Sequence, residues 1–218
     1  VTAPFVLQHT TLRAASAVPE IVLHQADDAI TLWERTELAA GGAQLPPPFW
    51  AFAWAGGQAV ARYLLDHPDV VRGRRVLDLA AGGGVVAVAA ALAGARAVTA
   101  TDIDPAAVAA ISLNAAANDV TVDALCADVL DDPVPDVDVV TAGDVFYNRD
   151  LAERMLAFLT RAVATGAVVL VGDPGRAYVP HAALEEVAAY DIPTTHDLES
   201  AETKRTRVWT PKRGRMAP

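Results

Sequence analysis

Cysteine is nearly absent from the 218 residues: Cys126 is the only one. That excludes an internal disulfide and a cysteine-rich metal centre. Histidine offers no substitute, because His9 and His24 have no partner at ligand spacing and read as surface or packing residues; no metal is expected. Positive charge is scarce. Seventeen Lys and Arg against 27 Asp and Glu leave a net charge of −10, a poor balance for gripping a phosphate backbone, so no nucleic-acid partner is expected. Long apolar runs are missing too. The longest uncharged one, near residues 85–95, is too short to cross a bilayer, and no membrane partner is expected. Residues 1–20 lack the basic start, apolar block and small-residue cleavage site of a secretory leader. The expectation is a soluble, cytoplasmic protein, with Val1 not its native start. What the composition does hold is apolar residues, 53% of the chain and many of them alanine. That is too apolar for a disordered chain and favours helices, and the length suits one domain with its own core.

The stretch from Arg74 to Asp104, RRVLDLAAGGGVVAVAAALAGARAVTATDID, organises the rest. Residues 76–79 read as a short buried strand carrying Asp78. Residues 80–84 (AAGGG) form a turn open only to small side chains, and residues 85–93 repeat apolar residues as a packed helix does. A second strand, 97–101, ends on Asp102. Strand, glycine turn, helix, strand and acid frame a nucleotide-type cofactor site. Glycines let the backbone approach the ligand, helix-start N–H groups face it, and the second carboxylate can take a ribose diol.

Before this core, residues 5–17 suggest a weak helix. Residues 20–24 and 29–33 flank Ala26-Asp27-Asp28 as a hairpin or pair of edge strands. Pro46-Pro47-Pro48 then stiffens an extended segment leading into Phe49-Trp50-Ala51-Phe52-Ala53-Trp54-Ala55-Gly56-Gly57, and residues 59–66 read as a helix. Phe49 and Phe52 are expected in the core, while Trp50 and Trp54 are candidates to wall a pocket. After the core, Asp104-Pro105 is a capped helix start, with the helix running to Asn118. Strands are expected at 120–125, 136–142 and 166–172. Asp150 with Glu153 has capping-box spacing for a helix reaching residue 164. A helix at 181–189 and closing strands at 191–198 and 206–210 complete the series. The fold class expected is α/β, a doubly wound, mostly parallel seven-stranded sheet with an antiparallel C-terminal hairpin. One domain spans 1–218, with an extension at 1–48, a cofactor-binding catalytic core at 49–210 and a tail at 211–218.

Gly82-x-Gly84-x-x-Ala87 also fits a dinucleotide fingerprint, but three features favour S-adenosylmethionine. Asp78 precedes the glycine turn, placed for the ammonium group of a methionine moiety, and would repel a pyrophosphate. Asp128 ends the third strand, where an acid can accept the adenine amino group. The closing hairpin replaces a second mononucleotide half.

VLDLAAGGG, ATDIDPAAV, CADV and GDVFY, in that order and spacing, resemble the motifs of class I seven-strand S-adenosylmethionine-dependent methyltransferases. With PPPFWAFAWAGGQAVARYLLD before them and KRTRVW near the end, the chain is similar to the electron-transfer-flavoprotein β-subunit lysine methyltransferases. The resemblance implies cofactor contacts from Trp54, Asp78, Gly82, Gly84, Asp102, Ile103, Asp128 and Val129. It implies that Asp144 and Tyr147, an Asp-x-x-Tyr motif, act beside the methyl group and the substrate amine, with no metal. Ala80 departs from the usual glycine and can serve if its φ stays negative. Trp50 and Phe146 are candidates for an aromatic wall around the amine, and Glu199 for an acidic rim that attracts a basic protein segment. A protein substrate bearing lysine, with the flavoprotein β subunit in front, is the leading reading. A small-molecule N-methyltransferase acting on an amine or heterocycle is the alternative, and a cofactor-binding module without activity or a dinucleotide-binding oxidoreductase a further one.

Overall fold

The computed structural model describes residues 2–194 and 202–212. In chain order the elements are α1 (Ala3–His9), β1 (Thr11–Ala15), β2 (Val18–Gln25), α2 (Ala29–Ala39) and α3 (Ala55–Asp66). The core follows as β3 (Arg75–Leu79), α4 (Val85–Leu92), β4 (Ala97–Asp102), α5 (Pro105–Ala117), β5 (Asp123–Cys126), β6 (Val139–Gly143), α6 (Arg149–Ala164) and β7 (Val168–Asp173). Strands β8 (Leu184–Pro193) and β9 (Thr203–Pro211) close it. One seven-stranded sheet runs β5-β4-β3-β6-β7-β9-β8. Its first five strands are parallel, and β9 pairs antiparallel with both β7 and β8. The expected fold class is the one observed.

Side chains alternate across the sheet. Val76 packs into one core with α3 and α4, while Leu77 and Leu79 join the core built on α6 through Met155, Phe158 and Leu159. Chain reversal after β3, with β4 and β5 on one side and β6 and β7 on the other, puts the topological switch point between β3 and β6.

The N-terminal region differs from expectation. Residues 5–17 split into α1 and β1, and β1 pairs antiparallel with β2. Residues 29–33, expected as a strand, begin helix α2: Asp28 Oδ1 accepts from the Thr31 N–H at 2.6 Å, and Leu32 and Thr36, four apart, are the buried pair. The β-branched Ile30 and Thr31 suggest a strand, but a cap and a buried i, i+4 pair outweigh them. Two asparagines bind the β1–β2 hairpin to α5. Asn114, fully buried, accepts from His24 N–H and donates to Gly83 carbonyl; Asn118 exchanges bonds with the backbone of Val22.

Three further expectations change. Helix α3 starts at Ala55 rather than at residue 59, with Gly56 and Gly57 in its first turn. Asn148, not Asp150, caps α6, accepting from Leu151 N–H. Residues 181–189, expected as a helix, are a single 3-10 turn (His181–Ala183) followed by edge strand β8. Pairing with β9 decides that segment, and its exposed face carries no alternation to reveal it. The Asp104 cap is as expected, its Oδ1 accepting from Ala106 N–H with Pro105 at the first helical position.

Candidate active site

A cleft of about 490 Å³ opens at the carboxyl ends of β3, β4 and β6. Asp78, the penultimate residue of β3, forms its floor and is 1% exposed. Its Oδ1 accepts from the Thr141 hydroxyl of the neighbouring strand β6 at 2.7 Å, whereas Oδ2 is buried without a hydrogen-bond partner among the described residues. Burial pushes this carboxyl up to about 7, against the pull of the Thr141 bond. A buried carboxylate oxygen aimed at a cleft is suited to an ammonium group, which would restore its ionised form.

The turn after β3 carries positive φ at Gly82 (+54°) and Gly84 (+81°), and also at Ala80 (+48°). The expectation of a negative φ at Ala80 is therefore corrected: alanine occupies a left-handed position here and bears its steric cost. At Gly83 a Cβ would stand 2.7 Å from the Trp50 carbonyl oxygen, so only glycine lets this turn pass beneath the aromatic segment. Asp102, at the end of β4, accepts from Gly82 N–H at 2.9 Å through Oδ2 and from Asp104 N–H at 3.0 Å through Oδ1. Each oxygen keeps a lone pair, the pattern a vicinal diol requires. Ile103 lines the cleft while 72% exposed, an apolar face presented to a planar ligand, and Val129 lines it as well.

Asp128 lies in the cleft wall as expected, but its carboxylate is engaged. Arg154 donates to both oxygens at 3.0 Å and Leu130 N–H to Oδ1 at 3.2 Å. The free carboxylate expected for an adenine amino group is thus replaced by a half-exposed ion pair, which costs little to open.

Phe49, Phe52, Trp54 and Tyr147 also line the cleft. Phe49 was expected in the core and is instead 38% exposed, its ring 5.5 Å from that of Tyr147. Tyr147 is half-exposed, and burial of its ring pushes the phenol up, so it stays neutral. One aromatic assignment is corrected and one is narrowed. Phe146 is fully buried in the α6 core and does not line the cleft; Trp50 lines it as expected, but is only 2% exposed and packs beside the glycine turn. Glu199 lies outside the described residues.

Asp144 follows β6 with φ +56° and is buried. Its Oδ2 accepts from the N–H groups of Gly56 (2.5 Å) and Gly57 (3.2 Å), capping α3 from another element. Its Oδ1 accepts from Arg176 Nε (3.1 Å) and Nη2 (2.7 Å). Burial pushes the carboxyl up while Arg176 and the two N–H groups oppose it, and the four donors describe its ionised form. A direct bond to a substrate amine, as expected from the motif, therefore requires one of these donors to leave. Neither Arg154 nor Arg176 is evident from the sequence motifs; the polar turn Asp173-Pro174-Gly175-Arg176 at a strand tip is the one signal that could have found the second.

An unpartnered buried carboxylate, a turn that admits only glycine at Gly83 and a diol-ready acid are the complement of S-adenosylmethionine. Sheet order, cleft and donor set together define a class I S-adenosylmethionine-dependent methyltransferase. The family model for ribosomal protein L11 methyltransferase matches residues 62–169. Among solved structures, a candidate RNA methyltransferase from Pyrococcus horikoshii shares the fold at TM-score 0.55 and 18% identity, covering 83% of this chain and 98% of that one. The T. thermophilus 16S rRNA N2 G1207 methyltransferase, solved with AdoMet and guanosine, aligns at TM-score 0.52 and 25% identity over 74% of this chain and 44% of that one. The electron transfer flavoprotein β-subunit lysine methyltransferase of Xenopus laevis is 36% identical over 94% of this chain and 85% of its own length. The chain belongs to that lysine methyltransferase family.

Proposed function

We propose that this protein methylates lysine side chains of an electron transfer flavoprotein β subunit, using S-adenosylmethionine. The carrying observation is that one cleft brings together the acids Asp78, Asp102 and Asp144 with the aromatic side chains of Phe49, Trp54 and Tyr147. When bound, the cofactor supplies an electrophilic methyl group on a sulfonium. The protein's part is to bind, align and neutralise the nucleophile. A free lysine has a pKa near 10.4, so its neutral form at pH 7 costs about 4.6 kcal/mol. Desolvation of the amine beside Phe49 and Tyr147 reduces that cost by disfavouring its charged form. Asp78 would hold the methionine ammonium, Asp102 the ribose, and Ile103 and Val129 the faces of the base. The name of the Xenopus laevis relative supports the protein substrate, and the net charge of −10 supports a partner with basic segments rather than a nucleic acid.

Intact-mass measurement of the flavoprotein β subunit after incubation with this protein and S-adenosylmethionine tests the reading. Added masses in steps of one methyl group, mapped to lysine, are expected. Methyl transfer confined to small amines would overturn it.

A further inference from the structure

Arg176 enters the cleft from the turn after β7. Asp173 Oδ1 accepts from the N–H groups of Gly175 (2.6 Å) and Arg176 (2.7 Å), which pins that turn. From there the guanidinium reaches Asp144 Oδ1 and lies over the Trp54 ring, 5.6 Å from its centroid. The indole is itself held, its Nε1 donating to the Phe49 carbonyl at 2.8 Å. An anion and an aromatic face thus grip a cation inside the cleft.

The donors to Asp144 differ in how readily they can leave. Gly56 and Gly57 are fastened by the close packing of α3 on Gly143 and Gly172. Arg176 sits on a long side chain at the cleft wall. Both bonds that it gives Asp144 go to one carboxylate oxygen, short of the fork-on-fork geometry that makes arginine pairs strong. An arriving ammonium group would keep the buried carboxylate paired as the guanidinium departs, so exchange avoids an uncompensated charge.

We infer that Asp144 Oδ1 and the face of Trp54 form the ammonium subsite for the incoming lysine, and that Arg176 is its resident stand-in, displaced when substrate enters. This rests on the lysine reading above. It reconciles an Asp-x-x-Tyr acid expected at the amine with a carboxylate whose acceptor sites are already taken. Arg176 is accordingly a specificity element: it admits a side chain that can replace a cation and resists a neutral one.

The test uses guanidinium and n-butylammonium, the latter standing for a lysine side chain, on the complex with S-adenosylhomocysteine. Backbone amide resonances of Gly56 and Gly57 report on the Asp144 carboxylate they share. In Arg176→Ala and Arg176→Gln, both ions should shift these resonances and compete with each other, and a second substitution, Asp144→Asn, should abolish the shifts. The intact protein should require at least about tenfold more n-butylammonium, because its competent state is only fractionally populated. There the same titration should move the Arg176 Nε–H resonance as the side chain is released, a readout that needs no variant. In methyl transfer, guanidinium should inhibit Arg176→Ala competitively with the protein substrate. An Arg176 resonance that stays put, or guanidinium restoring lost turnover to Arg176→Ala, would make Arg176 a permanent strut and overturn the inference. Absence of lysine methylation by the intact protein would instead remove the substrate reading while leaving the resonance shifts as they are.

Discussion

Asp78 gives the sharpest quantitative expectation. Its folded-state pKa is raised from 3.8 to about 7 by burial, and Oδ2 has no partner among the described residues. Only the ionised form can pair with the cofactor's ammonium group, so affinity should fall as pH drops through this pKa. For one group titrating at about 7, affinity is reduced about twofold at pH 7, about 11-fold at pH 6 and about 100-fold at pH 5 relative to its alkaline plateau. Below pH 7 the ligand's own α-amino group stays charged, because a free amino-acid amine titrates above even a peptide terminus. The slope therefore belongs to the protein. Calorimetry with S-adenosylhomocysteine between pH 5 and 7 should show one proton released per molecule bound at the acid end. Asp78→Asn should flatten the slope and cost about 1.5–3 kcal/mol at pH 7, the worth of a hydrogen bond to a charged group, or roughly ten- to hundredfold in affinity. In the free protein the same group works oppositely. A raised carboxyl pKa means that the native state holds its proton where the unfolded chain has lost it. Its contribution to stability is whole below pH 3.8 and is lost as pH rises through about 7, on the order of 4 kcal/mol. Cofactor affinity and free-protein stability should thus move in contrary directions across pH 5 to 7. An affinity that does not change with pH, or a slope that survives in Asp78→Asn, refutes the assignment of Asp78 to the ammonium.

Two backbone substitutions extend the test. In Gly172→Ala the new Cβ would sit 1.9 Å from the Gly56 carbonyl oxygen, forcing α3 off β7. A loss of about 1–3 kcal/mol or more is expected, read as a fall of several degrees in Tm, with the Asp144 cap broken and methyl transfer lost. Ala80→Gly should do the reverse for stability, because it removes the left-handed cost at φ +48°. The gain, up to about 1 kcal/mol after the added freedom of the unfolded chain, should raise Tm by up to about 3 °C. A lowered Tm would show that Ala80 is not strained.

The cofactor half was legible because its chemistry is local: Asp78, the glycine turn and Asp102 lie within one strand–turn–helix–strand unit, and spacing alone sets their geometry. The parallel strands were legible for the same reason, each being a short apolar run with a turn behind it. Helix α2 and strand β8 were not. In each the deciding contact is a cap or a partner strand that periodicity does not register. The substrate half failed differently. Phe146 and Tyr147 are adjacent, and nothing in their identities says which ring goes into the α6 core and which into the cleft; the left-handed turn at Asp144 settles that. Asp128 and Asp144 were read correctly as cleft acids, but their arginine partners come from α6 and from the turn after β7, at sequence separations no motif spans.

The two halves of the cleft are joined through α3. Its first turn lies against the ends of β6 and β7, where a Cβ on Gly56 would meet the Gly172 carbonyl oxygen at 2.3 Å and one on Gly143 would meet Gly57 at 2.6 Å. That proximity brings two α3 N–H groups onto Asp144, while the segment just before the helix carries Trp54 over Arg176 and Trp50 over Gly83. A shift of α3 would therefore be felt both at the cofactor turn and at the amine subsite. Glycine is required there because the helix start must touch the sheet backbone directly; any side chain would separate the acid from the N–H groups that hold it. The run of prolines, aromatics and paired glycines at residues 46–57 is thus one device, an extended lead-in ending in a helix thin enough to dock.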